Sequence, residues 1–201
     1  MNEPEAVAAA RQPTTAWLES CFGPNTVCRP TGAELPEELG NAGVRDFLTA
    51  VGVPAVRLSL VDWGSAGLPQ KGMWAEDPDE LYGDRTPDDD SPPVCPAYGI
   101  GTYGLKHRMV RGDTGVVEIY DPEGWDHARG YGGHAAGTLP EPVGALGLLA
   151  RWEARLTGEE ADAARTEFTS RLVALGQGPD DSSLWDNLLE ALEDEYGSWE
   201  E

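Results

Sequence analysis

The fold turns on Tyr98–Tyr120, YGIGTYGLKHRMVRGDTGVVEIY. Leu105–Arg111 and Gly115–Tyr120 read as two strands, and the connection Gly112-Asp113-Thr114-Gly115 is short and rich in Asp and Gly, a hairpin signal. Tyr98–Tyr103 reads as a third strand ahead of them, so the stretch predicts an antiparallel meander. It also contains Gly99-Ile100-Gly101-Thr102-Tyr103-Gly104, which has GxGxxG spacing. A dinucleotide fingerprint needs a strand before it, a helix after it and an acid about 20 residues on. Leu105–Val110 reads as strand instead, so the glycines are expected to serve a twisted strand and a tight turn.

Upstream, Pro13-Thr14-Thr15 before Ala16-Trp17-Leu18 predicts a short capped helix that stops at Gly23-Pro24. Val44, Phe47, Leu48 and Val51 recur at i, i+3, i+4 and i+7, one face of a second helix, which Gly52 ends. Val56, Leu58 and Leu60 then alternate with their neighbours, a strand pattern. From Gly64 to Pro96 regularity is lost, and the stretch is expected to be a long acidic loop whose first half packs on the body through Trp63, Met73 and Trp74. Downstream, Pro142 opens a helix bearing Val143, Leu146, Leu149, Trp152 and Leu156. Glu159 opens another with Ala164, Phe168, Leu172 and Leu175 on one face. Ser183 and Asp186 resemble a capping pair for a last helix with Leu184, Leu188, Leu189 and Leu192 inward. This order predicts the α+β class: one domain over 34–201, its antiparallel-rich central sheet packed with helices, an acidic loop near 64–96, and a helical extension over 1–33.

Thirty-six acids against fourteen cations give a formal charge of -22. A magnitude of about 2–8 suffices to keep a small domain soluble. Phosphates meeting so many carboxylates release no counterions, so neither nucleic acid nor anionic membrane is an expected partner. A basic protein is, because long-range attraction speeds its encounter. Cys21, Cys28 and Cys95 offer neither a disulfide framework nor a CxxC metal motif, which points to a reducing compartment. The acidic start has no apolar core of a signal peptide, and no run approaches the ~20 apolar residues of a membrane span. A cytoplasmic location is the expectation.

The catalytic inventory is empty. His107, His127 and His134 lack metal-ligand spacing and read as surface residues, no G-x-S-x-G elbow is present, and Cys95 lies between prolines with no base placed beside it. No catalytic residue, cofactor or metal is therefore expected. Two acidic regions remain: the loop at 76–90 and the stretch from Gln177 onward, with Trp74 and Trp199 beside them. Any single acid there reads best as a solvated face. Acids clustered beside exposed aromatics also supply steering and anchors, and on that ground Trp74, Glu76, Asp77, Asp79, Glu80, Asp88, Asp89 and Asp90 are the expected partner-binding residues.

Leu35-Pro36, followed by Arg45-Asp46-Phe47-Leu48-Thr49-Ala50-Val51-Gly52-Val53-Pro54, resembles the SUKH superfamily, and within it the fourth family. There a Leu-Pro precedes a helix ending in an FL…GLP pattern and then a strand. The Tyr98–Tyr120 meander, with Asp113-Thr114-Gly115 at its turn, looks like the family's strand pair. Ser183-Leu184-Trp185-Asp186-Asn187-Leu188-Leu189-Glu190 is similar to its terminal FW…LE helix. The likeness spans roughly 34–195 in short, mostly structural blocks; the acidic insert at 76–90 is longer than the family pattern, and Pro140-Glu141-Pro142 replaces an Asn-Ser type helix start. The resemblance implies a SUKH-like fold and a non-enzymatic immunity protein of a bacterial polymorphic toxin system, blocking a cognate nuclease or nucleic-acid deaminase. Alternatives are an adaptor or regulatory module with a non-toxin partner, and an enzyme holding a nucleotide at Gly99–Gly104.

Overall fold

A computed structural model describes residues 3–76, 96–123, 130–157, 161–179 and 182–196. The architecture is α+β. Helices α1 (Glu3–Arg11) and α2 (Thr15–Phe22) come first, then β1 (Val27–Cys28), α3 (Ala42–Ala50) and β2 (Val53–Pro54). Next follow β3 (Arg57–Leu58), a 3-10 turn (Ser59–Val61), β4 (Trp63–Gly64), α4 (Leu68–Lys71) and β5 (Ala75–Glu76). The meander is β6 (Ala97–Tyr103), β7 (Lys106–Arg111), β8 (Val117–Tyr120) and β9 (Tyr131–Ala136). Three helices close the described chain: α5 (Pro140–Leu156), α6 (Ala161–Ala174) and α7 (Ser183–Tyr196).

Local chemistry sets the helix ends. Thr14 accepts from the Trp17 amide to cap α2, and Gly23 closes it by donating to Glu19 O at φ +102°. Asn41 does more than cap α3. Its Oδ1 accepts from the Val44 amide at 3.0 Å, its Nδ2 donates to Asp113 O at 3.1 Å, and its amide donates to Gly112 O at 2.8 Å. The start of α3 is thereby fastened to the β7–β8 turn. Arg45 holds the approach to the same helix, donating to the carbonyls of Gly32, Pro36 and Leu39.

One antiparallel sheet runs β3-β4-β6-β7-β8-β9, with β5 also on β6, and β1 pairs with β2 separately. Tyr98, Val110, Val117 and Ile119 on one sheet face share a continuous core with Val143, Leu146 and Leu149 of α5 and with Phe168, Leu184 and Trp185. Ala10, Trp17 and Leu18 of α1 and α2 belong to the same core. At Gly144 of α5 a Cβ would lie 1.8 Å from Ala10 O, so only a glycine lets α1 pack this closely. Trp185 is fully buried, donates Nε1 to Gln177 Oε1 at 3.3 Å and meets Phe168 edge-on at 6.1 Å. Gln177, also fully buried, passes the link to Ala135 O of β9 at 3.2 Å.

Three expectations are corrected. The alternation at Val56–Val61 yields only the two-residue β3 before a 3-10 turn, because Asp62 in the left-handed region at φ +46° turns the chain back so that Trp63 pairs with Leu58. The expected loop from Gly64 onward carries β4, α4 and β5 before residue 77. The Gly-rich stretch around His134 is a strand, β9, paired along β8.

Candidate functional site

Strand β6 accepts two short strands on one edge. β4 pairs with its far end, Trp63 opposite Tyr103 and Gly64 opposite Thr102. β5 pairs with its near end, Ala75 opposite Tyr98 and Glu76 opposite Ala97. The link between them, with α4 in it, cannot lie along the edge, and a groove of about 610 Å³ opens there. Arg57, Leu68, Lys71, Trp74, Thr102 and His107 are among its walls.

The GxGxxG glycines explain the groove's floor. The β6–β7 register slips between Gly99 and Gly101, a bulge that puts Gly99 opposite Met109 and Gly101 opposite Arg108. Neighbouring strand residues point to opposite faces, so the two glycines receive two tryptophans from opposite sides. A Cβ on Gly101 would sit 2.2 Å from the Trp63 ring, and one on Gly99 would sit 3.5 Å from that of Trp74. Gly104 takes φ +53° in the β6–β7 turn. A strand follows, not a helix N-terminus, so the segment lacks the geometry of a dinucleotide loop.

Trp74 is 44% exposed, yet its ring is held. It lies 4.8 Å from His107 and 5.8 Å from Tyr120, and those two rings are 5.7 Å apart. Tyr120 also belongs, with Ala97 and Met109, to a buried cluster separate from the main core. Burial of His107 lowers its pKa, which favours the neutral ring.

Of the eight expected partner-binding residues, Trp74 and Glu76 lie close together, Trp74 in the groove wall and Glu76 half-buried in β5. Asp77, Asp79, Glu80, Asp88, Asp89 and Asp90 lie outside the described residues, as do Cys95, His127 and Trp199. On α7, Asp186, Glu190, Glu193 and Asp194 are exposed opposite the buried Leu184, Leu188 and Leu192, an acidic stripe at helical spacing. Arg57, Lys71 and Thr102 were not anticipated as site residues, and His107, expected at the surface, is half-buried. Each comes from a different segment, so no local motif announces them.

Among the described residues no three His, Cys, Asp or Glu side chains converge as a metal site. Burial raises the thiol pKa of both Cys21 and Cys28, which disfavours the nucleophilic thiolate. No helix among the described residues is long and apolar enough to cross a membrane. Compared with protein-family models, with curated proteins and with solved structures, the chain matches none.

Proposed function

We propose that this protein works by binding, as a non-enzymatic immunity-type inhibitor that occupies a basic toxin domain and resides in the cytoplasm. The observation that carries the reading is Trp74. It is a large aromatic, 44% exposed and already fixed by two neighbouring rings, two residues before Glu76 and the acidic run in a chain of charge -22. Hot spots of protein interfaces favour such rings, because a fixed side chain gives up little entropy on binding. The acids steer and the ring anchors. The resemblance to SUKH proteins supports the immunity role, and a nuclease or nucleic-acid deaminase fits because its groove must be cationic to hold phosphates.

The test is capture of the product of the adjacent gene, followed by association rates across ionic strength. Steering predicts a rate that falls steeply with added salt. Neutralising Glu76, Asp77, Asp79 and Glu80 together is expected to slow association about tenfold or more and to change dissociation less. A salt-independent rate, or a partner that is itself acidic, would overturn the reading.

A further inference from the structure

We infer that the groove between β4 and β5 binds a small anion carrying a flat ring, with a mononucleotide as the simplest member of the class. Among the described residues the lining stands apart in sign. Thirteen described residues line the groove, and none of these is Asp or Glu.

The cations in the groove are unspent. Arginines of α5 and α6 close on carboxylates, as Arg155 and Arg171 do on Glu167, and Lys106 meets Asp121. Arg45 and Arg151 are hydrogen-bonded. Arg57 and Lys71 are exposed and make no hydrogen bond or ion pair, a condition that Arg29 alone shares among the described cations. An anionic group in the groove would convert two solvated cations into charge-assisted contacts. Acids more than about 8–10 Å from the groove do not prevent this, since their charge is largely screened at physiological salt.

The wall specifies the rest of the ligand. Trp74 offers a partly exposed ring, immobilised by His107 on one side and by the bare backbone of Gly99 below. A fixed aromatic platform stacks the flat face of a planar base. Thr102 donates its hydroxyl to Gly64 O at 3.2 Å, which leaves the oxygen's lone pairs to accept from a ring amine. The groove's 610 Å³ falls within the roughly 300–1,000 Å³ usual for small-molecule sites. The phosphate rests on side-chain cations, since α4 has only four residues and β7 follows the glycines as a strand.

Calorimetric titration of the full chain with AMP, GMP, CMP and UMP, alongside the parent nucleosides and inorganic phosphate, tests the assignment. At least one mononucleotide is expected to bind about tenfold or more tightly than its nucleoside and than phosphate. The double substitution R57Q/K71Q changes two exposed side chains, and retention of the fold is checked by circular dichroism. It should weaken mononucleotide binding at least about tenfold, while W74L should erase the advantage over phosphate. Absence of binding at millimolar mononucleotide, phosphate binding as tightly as mononucleotide, or variants that bind like wild type would each overturn the inference. Both readings use the Trp74 ring, and they are told apart by ligand: mononucleotide binding is read by calorimetry without a protein partner, and partner association is read in the absence of nucleotide.

Discussion

The two faces of the sheet at β6 and β7 are built to different ends. On one, Trp63 fills the space left by Gly101 and joins Ile100, Leu146 and Trp185 in a sealed interior. On the other, Trp74 covers Gly99 but leaves nearly half its surface in solvent, beside His107 and two unpaired cations. The same device, a tryptophan over a glycine, serves packing in one place and display in the other. Packing explains the apolar side chains named on the first face, from which Arg108 stands apart. It does not explain why a large ring, an imidazole, a lysine and an arginine converge on the second.

The contrast breaks most visibly at Trp185. Truncation to Ala removes a fully buried ring and leaves Gln177 Oε1 without its donor, so a loss of about 3–5 kcal/mol is expected. Trp74→Ala, by contrast, is expected to cost about 1 kcal/mol or less, because only the ring contacts of a half-exposed side chain are lost. Chemical denaturation of both variants checks the pair. Similar losses would show that Trp74 is core, and the display reading would fail.

The glycines sharpen it further. A Cβ at Gly101 meets the rigid Trp63 ring inside the core, and Gly101→Ala is expected to cost about 1–3 kcal/mol. At Gly99 the nearest atoms stand at 3.5 Å, ordinary contact, so Gly99→Ala is expected to be tolerated within about 1 kcal/mol. Equal effects would mean that the bulge, and not the two tryptophans, sets the requirement.

This asymmetry also explains what could be read before the structure. Helices α3, α5 and α7 were legible because packing against one core imposes a helical spacing on Val44 and Leu48, on Val143, Leu146 and Leu149, and on Leu184, Leu188 and Leu192. The meander was legible because its turns need Asp and Gly. Two-residue strands such as β4 and β5 carry no period, and β9 hides behind Gly132 and Gly133. The groove was illegible for a related reason. Arg57, Lys71, Trp74, Thr102 and His107 meet only because β4 and β5 pair with the same edge of β6. Trp74 was found from composition, as a ring beside acids; Arg57, Lys71 and His107 had no such signal, and Thr102 lay inside the glycine motif read as a twisted strand and tight turn.

Arg108 is the exception on the packed face. Its side chain is 1% exposed; Nη2 donates to Ser182 Oγ at 3.1 Å, the guanidinium lies over the Tyr103 ring, and Nε and Nη1 have no hydrogen-bond partner among the described residues. Burial pushes its pKa down to about 10. At neutral pH the group is still charged in both folded and unfolded chains, so the cost of desolvating it is borne in full. Replacing such a charge by an apolar side chain of similar reach is often neutral or stabilising, by about 1–4 kcal/mol. Arg108→Met is therefore expected to raise the unfolding free energy by about 1–2 kcal/mol. A loss instead would show that the contacts to Ser182 and Tyr103 outweigh the desolvation.

The smallest expected effect belongs to His107, and it separates the two faces by pH. Burial lowers its pKa below the ordinary value of about 6.5, so the folded protein refuses a proton that the unfolded chain accepts. The stability from the neutral ring is present above pH 6.5 and is lost as pH falls through the folded value. Carboxylates titrate mainly below about pH 5, which leaves a window from pH 7.5 to 5.5 for the histidines. Thermal unfolding across that window should show a Tm that declines more in wild type than in His107→Gln, a comparison that cancels His127 and His134. An anion between Arg57 and Lys71 would favour the protonated ring and raise its pKa, so a saturating mononucleotide should shrink the decline toward that of the variant. Parallel curves for wild type and variant would place His107 in an environment no different from solvent, and the groove would lose its neutral wall.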